Sequence, residues 1–379
     1  MIPILLTALA LAAEPPAITS VVASSNELRR GGPDVTWRLL LESDASLDAG
    51  IYDARDLLVR TLSKGQPATR GTQTLSWNGR DEAGREVPDG YYLLVLRATL
   101  GDKTAVWDPS EATGGSLMTA TAVKYDAGKG LISYALSKPA LVRVHLGLKG
   151  DGPLLRTLVD WVARGVGEHV EAWDGWDGSR TVQFGASRDL DVQVWAYELP
   201  VNAVVVASGG SRAAVVPASV KSVQAASASR MEFVDLPADA PRRPRAASAA
   251  PHEMYNHWKH DRATCHDPRV SIEASHEAPR DADGLIRADR AVLLKLKVDA
   301  GEASFLQDER FESVIYIDGT FAFEEEQGYL PFTWTLKPES LTPGEHLITC
   351  MVRGYEGHFG SASIRVRRGG EAGPKAGRP

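Results

Sequence analysis

Five of the nine histidines fall between residues 252 and 276: His252, His257, His260, His266 and His276, with Cys265 among them. Neutral imidazole and thiolate are ligands for zinc or copper. His257, His260, Cys265 and His266 put four such donors within ten residues. Lys259 and Arg262 stand in the same stretch and repel a cation. The competing reading is a chain segment that packs Tyr255 and Trp258 on the domain that follows, with its histidines in water. Cys265 has a second use, a disulfide with Cys350, the only other cysteine. Against it, Ile348, Cys350 and Val352 alternate along one strand face, which would make Cys350 a buried thiol.

Other chemistry is thin. There is no His-Glu-x-x-His, no Gly-x-Ser-x-Gly, no phosphate-binding Gly-Lys loop and no Cys-x-x-Cys-His. Glu324-Glu325-Glu326 reads as a solvated loop rather than a carboxylate site. Asp281-Ala282-Asp283-Gly284 begins like a calcium loop but lacks the third acidic ligand and the distal Glu, so a turn is expected. Tyr91, Tyr92, Trp176 and Trp195 would make a sugar platform if exposed; as strand residues of a sandwich they are expected mostly inside. No catalytic residue and no cofactor are expected, and the chain does not read as an enzyme.

The elements that carry these residues are strands. The chain has 379 residues, 42 Lys and Arg against 49 Asp and Glu, and a net charge of −7, so nucleic acid is not an expected partner. Two cysteines cannot make a disulfide scaffold. Val35–Leu41, Tyr91–Ala98 and Val292–Val298 are short, apolar and bounded by turn residues. Leu154–Val162 is the best helical candidate.

A shift of 96 residues aligns Leu58, Arg60, Thr61, Leu62, Gly71, Trp77, Gly79 and Asp81 with Leu154, Arg156, Thr157, Leu158, Gly167, Trp173, Gly175 and Asp177. A tryptophan of this kind can fill the space between two sheets about 10 Å apart. Asn-Gly and Asp-Gly, as at Asn78-Gly79, supply the positive φ that tight turns need, and Pro88-Asp89-Gly90 reads as another turn.

These residues resemble the flagellar hook-cap (FlgD-type) immunoglobulin-like domain. Its pattern is a hydrophobic-Arg-x-Leu strand, Gly-x-x-x-x-x-Trp-[Asp/Asn]-Gly-x-Asp-x-x-Gly, then Pro-x-Gly-x-Tyr. The first copy follows it from Leu58 to Ala98. The second keeps Trp173-Asp174-Gly175-Trp176-Asp177 and has Gln183-Phe184-Gly185 where the last motif would stand. The resemblance implies spacer-type modules of exported bacterial proteins. A strand ending at Asp318-Gly319, a strand carrying Trp334, and Pro343-Gly344-Glu345-His346 before a late strand resemble a further bacterial Ig-like domain.

The resulting expectation is all-β, with three tandem Ig-like sandwiches: 14–112, 116–207 and 267–368. Residues 208–266 read as a long Ala/Ser/Pro-rich linker, in which Met231–Leu236 could dock as an edge strand, and 369–379 as a disordered tail. Residues 1–13, MIPILLTALALAA, read as a signal peptide, being apolar and shorter than the roughly 20 residues a span needs. Export to the periplasm, cell surface or medium follows, with no transmembrane span in the mature chain. The expected role is a non-enzymatic spacer, adhesion or assembly module whose partners are other surface or periplasmic proteins. The alternatives are a protein that binds metal or glycan and an accessory subunit of an exported enzyme.

Overall fold

The computed structural model describes residues 17–207, 228–244, 266–355 and 357–369. Their regular secondary structure is almost entirely β-strand. The chain divides into two compact units, each built from more than one stretch of sequence.

Unit 1 opens with β1 (Ile18–Ala23), β2 (Glu27–Arg29), β3 (Val35–Leu41), β4 (Ala45–Tyr52), β5 (Leu58–Ala68), β6 (Gly71–Trp77), β7 (Gly90–Leu100) and β8 (Lys103–Trp107). β3 alternates buried and less buried residues, so Val35, Trp37, Leu39 and Leu41 face inward together. β1, β3 and β6 form one sheet; β4, β5, β7 and β8 belong to the other. Trp37, Trp77, Ile51, Tyr92 and Leu94 pack between them.

Unit 2 begins with β9 (Leu117–Thr119), β10 (Thr121–Asp126), β11 (Leu131–Leu136), β12 (Ala140–Leu148), β13 (Leu154–Arg164), β14 (Gly167–Ala172) and β15 (Leu190–Glu198). The sheet β10-β11-β14 faces β13-β12-β15-β9, and Trp173, Tyr134, Val142 and Val144 lie in the core between them. Leu154–Val162 is therefore strand, not helix. Its pairing with β12 carries several register shifts, and Trp161 has φ of 52°, so inward and outward residues lose their strict alternation.

β16 (Val204–Ala207) belongs to unit 1, not to the second sandwich as the sequence suggested: it pairs parallel with β2 and antiparallel with β7. Its Val204 and Val206 are buried in the first core. Residues 233–244 also pack on unit 1 instead of running free. Val234 is buried in that core and Leu236 lies against it, but no strand forms there. Arg243, nearly buried, reaches Asp56 and Asp108, each at 3.0 Å. Burial and ion pairing thus order a stretch whose composition alone reads as linker.

β17 (Ser229–Arg230) adds to unit 2, parallel to β13 at Val159 and Asp160. The last sandwich holds β18 (Val270–Ala274), β19 (Ile286–Arg287), β20 (Val292–Val298), helix α1 (Ala300–Glu309), β21 (Phe311–Ile317), β22 (Thr320–Glu325), β23 (Phe332–Leu336), β24 (Gly344–Gly354) and β25 (Phe359–Arg368). β18-β20-β23 packs on β19-β25-β24-β21-β22. No described helix is long and apolar enough to cross a membrane.

Candidate functional site

The residues singled out by the repeat form the same corner twice. Trp77 Nε1 donates to the Arg80 carbonyl at 2.9 Å, and Trp173 Nε1 donates to the Trp176 carbonyl at 2.9 Å. Asp81 accepts from the Arg85 amide at 2.8 Å; Asp177 accepts from the Thr181 and Val182 amides at 2.6 and 2.9 Å. Gly79, Gly84 and Gly175 have φ of 75°, 77° and 84°. At Gly79 an added Cβ would also stand 2.8 Å from Leu28 Cδ2. Tyr92 packs on Trp77 with ring centroids 5.2 Å apart. Phe184, at the position where the Pro-x-Gly-x-Tyr motif is missing, packs on Trp173 at 4.8 Å. These aspartates hold backbone.

His257, His260 and Cys265 lie outside the described residues. His266 is described: its Nε2 is 3.3 Å from Glu302 and its ring packs on Phe305. No group of three metal-binding side chains occurs among the described residues. Cys350 is buried on β24, and burial pushes its thiol well above the ordinary value. Tyr91 and Tyr92 are in the interior and offer no sugar platform, whereas Trp195 is 37% exposed. Asp281 and Asp283 both pair with Arg367, at 2.6 and 3.0 Å. Glu324 and Glu325 end a strand rather than lying in a loop. Arg353 reaches the first at 3.3 Å, and the second takes the amides of Gln327 and Gly328.

The densest polar cluster is elsewhere, inside unit 2, and sequence reasoning missed it. Arg143 and His145 sit two apart on β12, so both leave the face that carries Val142, Val144 and Leu146 into the core. They meet Asp267, which immediately precedes the last sandwich. His145 Nε2 lies 2.6 Å from Asp267 Oδ2, and Thr157 Oγ1 donates to that oxygen at 2.6 Å. The Phe359 amide donates to Oδ1 at 2.9 Å, and Arg143 lies 3.4 Å from it. The Asp267 amide donates in turn to Asp160 at 3.1 Å. Arg230 donates to Asp160 at 2.9 Å and to the Asp267 carbonyl, and pairs with Glu302 at 3.2 Å. The Arg143 guanidinium also stacks over Trp161, 4.4 Å from its centroid. Beside this seam Val314, Tyr316 and Met351 pack with Leu154.

Charge in the seam is settled by burial and neighbours. Burial alone would raise Asp267; His145, Arg143 and the hydrogen bonds to it more than reverse this and hold it below the usual carboxylate range. Burial pushes His145 down against the pull of Asp267, and Nε2 is the donor because the Asp267 carboxylate can only accept. Burial and the nearby negative charge of Asp267 push Asp160 up to about 7, with Arg230 opposing. Glu302 resists burial through His266, the Arg269 amide and Arg230, and is held at about 2. A cavity of about 670 Å³ opens next to the seam, with Thr157, Arg230 and Asp267 in its wall. The signal was legible in part: Arg143-Val-His145 puts two polar residues on one side of an otherwise apolar strand.

Residues 25–117 match the family model of the FlgD Ig-like domain. No curated protein shows significant similarity to the chain. Among solved structures, the fibronectin(III)-like modules of Clostridium thermocellum CbhA overlap with 9% identity and a TM-score of 0.20, over 96% of this chain and 99% of theirs. A 1.5-MDa bacterial ice-binding adhesin overlaps with 12% identity and a TM-score of 0.20, over 94% and 99%. Trypsin-activated Escherichia coli alpha-2-macroglobulin overlaps with 10% identity and a TM-score of 0.18, over 95% of this chain and 24% of that one. Overlaps this weak say nothing about function.

Proposed function

We propose that the chain is an exported, non-enzymatic protein of Ig-like sandwiches, working as a spacer, adhesion or assembly module at a bacterial surface or in the periplasm. The observation that carries this reading is the use of its polar side chains. The buried carboxylates of the two corners hold turns, and Asp267 with its donors joins the second and third sandwiches within one unit. Rigid joining of successive modules is what a spacer or assembly platform requires. The repeated tryptophan corner supports reading the second sandwich as a diverged FlgD-type module, and the two-sheet packing supports an Ig-like third. The apolar residues 1–13 support export.

Cell fractionation with protease shaving of intact cells tests this. The expected result is protein in the periplasmic or surface fraction, with a mature N-terminus beyond residue 13. Recovery from the cytosol with residues 1–13 intact would overturn it.

Ligand binding is a second reading, favoured by one observation, the cavity beside Asp267. Metal binding through His257, His260, Cys265 and His266 would use the Nδ1 of His266 if its Nε2 stays on Glu302. Elemental analysis after dialysis decides that variant: one zinc or copper per chain, lost in a His257→Ala/His260→Ala protein, would establish it.

A further inference from the structure

We infer that the cavity beside the seam is a binding site for an extended peptide bearing a carboxylate, which Arg156 receives. In the first copy of the repeat Arg60 Nη1 donates to the Asp81 carbonyl at 3.0 Å and lies 3.7 Å from the Glu82 carboxylate. Glu82 also accepts from the Thr61 amide at 2.6 Å. The second copy builds the same backbone. The Gly178 amide donates to the Leu155 carbonyl at 2.8 Å, as the Glu82 amide donates to the Val59 carbonyl at 3.0 Å. At that shift of 96 residues, however, Glu82 becomes Gly178 and Arg60 becomes Arg156. The arginine is kept and its carboxylate is gone.

Arg156 is 8% exposed, and its Nε and Nη1 are buried with no hydrogen-bond partner. Asp174 and Asp177 act on it electrostatically, yet no described carboxylate forms an ion pair with it. A buried guanidinium left in this state is unfavourable, and a planar carboxylate is the group that best satisfies it.

Arg156 lines the cavity of about 670 Å³. Two strand edges line it as well. β13 contributes Leu155 to Thr157, outside the two-residue pairing with β17; the Leu155 carbonyl is taken by Gly178, which leaves Thr157 as the open part of this edge. β18 contributes Val270 to Ile272 and is the outermost strand of its sheet. Open edges offer main-chain hydrogen bonds to an added strand. Residues 208–227, which lead into Ala228 at the cavity, contain no Asp or Glu, so that stretch cannot supply the carboxylate. Residues 245–265 lead to Asp267 at the cavity and carry Glu253 and Asp261, so a Glu253→Gln/Asp261→Asn protein joins the test: peptide binding seen only in that variant would make the chain's own segment the occupant and overturn the assignment to a partner peptide with an acidic side chain.

This deepens the assembly-module reading by naming what the module takes. It is tested on purified protein, so its failure is separate from a failure of the localisation test. Isothermal titration of the full chain would use a capped heptapeptide of alternating Thr and Val with a central Glu, its Gln counterpart, and sodium acetate. The expected result is saturable binding of the Glu peptide and binding of the Gln peptide about tenfold or more weaker. Arg156→Gln should abolish that difference. Gly178→Glu should block binding, because its carboxylate takes Arg156 as Glu82 takes Arg60. A Cβ there meets nothing closer than the Leu155 carbonyl at 3.6 Å. The same substitution should raise the melting temperature of the unliganded protein, a readout that needs no ligand. No saturable binding, equal affinity for the two peptides, or unchanged affinity in Arg156→Gln would overturn the inference. Acetate binding as tightly as the peptide would overturn its peptide part.

Discussion

Asp267 accepts hydrogen bonds from Thr157, from His145 and from the Phe359 amide, and lies against Arg143. Asp267→Ala leaves a nearly buried arginine without its carboxylate. The expected loss is about 3–5 kcal/mol, read from urea unfolding. Asp160 gives a pH signature of definite sign. Folded Asp160 keeps its proton up to about 7, whereas the unfolded group releases it near 3.8. The folded state therefore binds more protons between those values. Asp160's contribution is fully present below the unfolded value and is lost as pH rises through the window. Asp267 acts oppositely: its depressed value makes stability fall as pH drops below the ordinary carboxylate range. The urea midpoint is expected to be higher at pH 5 than at pH 8, with the difference shrinking in Asp160→Asn. An unchanged pH dependence in that variant would assign the effect to other groups.

At the scale of single elements, β13 and α1 show where periodicity misleads. β13 buries residues on both of its faces and is interrupted by bulges, so its apolar residues fall at neither strand nor helix spacing. Among the described side chains of α1, Leu306 alone is fully buried and Phe305 packs partly, too little for a recognisable apolar stripe. The tryptophan corner was legible because its glycines, aspartate and tryptophan act within a few residues of one another. Phe184, which completes the second corner, was not, because nothing local ties it to Trp173. Phe184→Ala is expected to destabilise unit 2 by about 3–5 kcal/mol in a denaturant titration. On β24, Cys350 should resist alkylation in the native protein. If it is a free thiol, unfolding without reductant exposes it to label; if it needs reductant, Cys265–Cys350 is a disulfide. Mass spectrometry of labelled peptides separates the two.

For the whole molecule, the consequence of discontinuous units is that stability of the first sandwich depends on residues far along the chain. Val204 and Val206 are 0% and 2% exposed, and Val234 is 5% exposed. Val204→Ala and Val206→Ala are each expected to cost about 1–3 kcal/mol in the transition of unit 1. With two compact units, urea unfolding should depart from a single two-state transition. Asp267→Ala should then lower the transition of unit 2 and leave that of unit 1 in place. A uniform shift of both would contradict the division.

The sequence by itself determined the strand-rich class, the first Ig-like module and the repeated corner. Those features depend on alternation, turn glycines and side-chain contacts closed within a few residues, which local chemistry encodes. The tertiary structure decided where Val204–Ala207 and Val234 pack, and that Arg143, His145, Thr157, Asp160 and Arg230 converge on Asp267. It also decided that Arg156 stands in a cavity without the carboxylate its counterpart has. Each of these depends on residues distant in sequence whose meeting lowers the free energy only when burial makes their pairing obligatory. Spacing along a chain does not record such meetings.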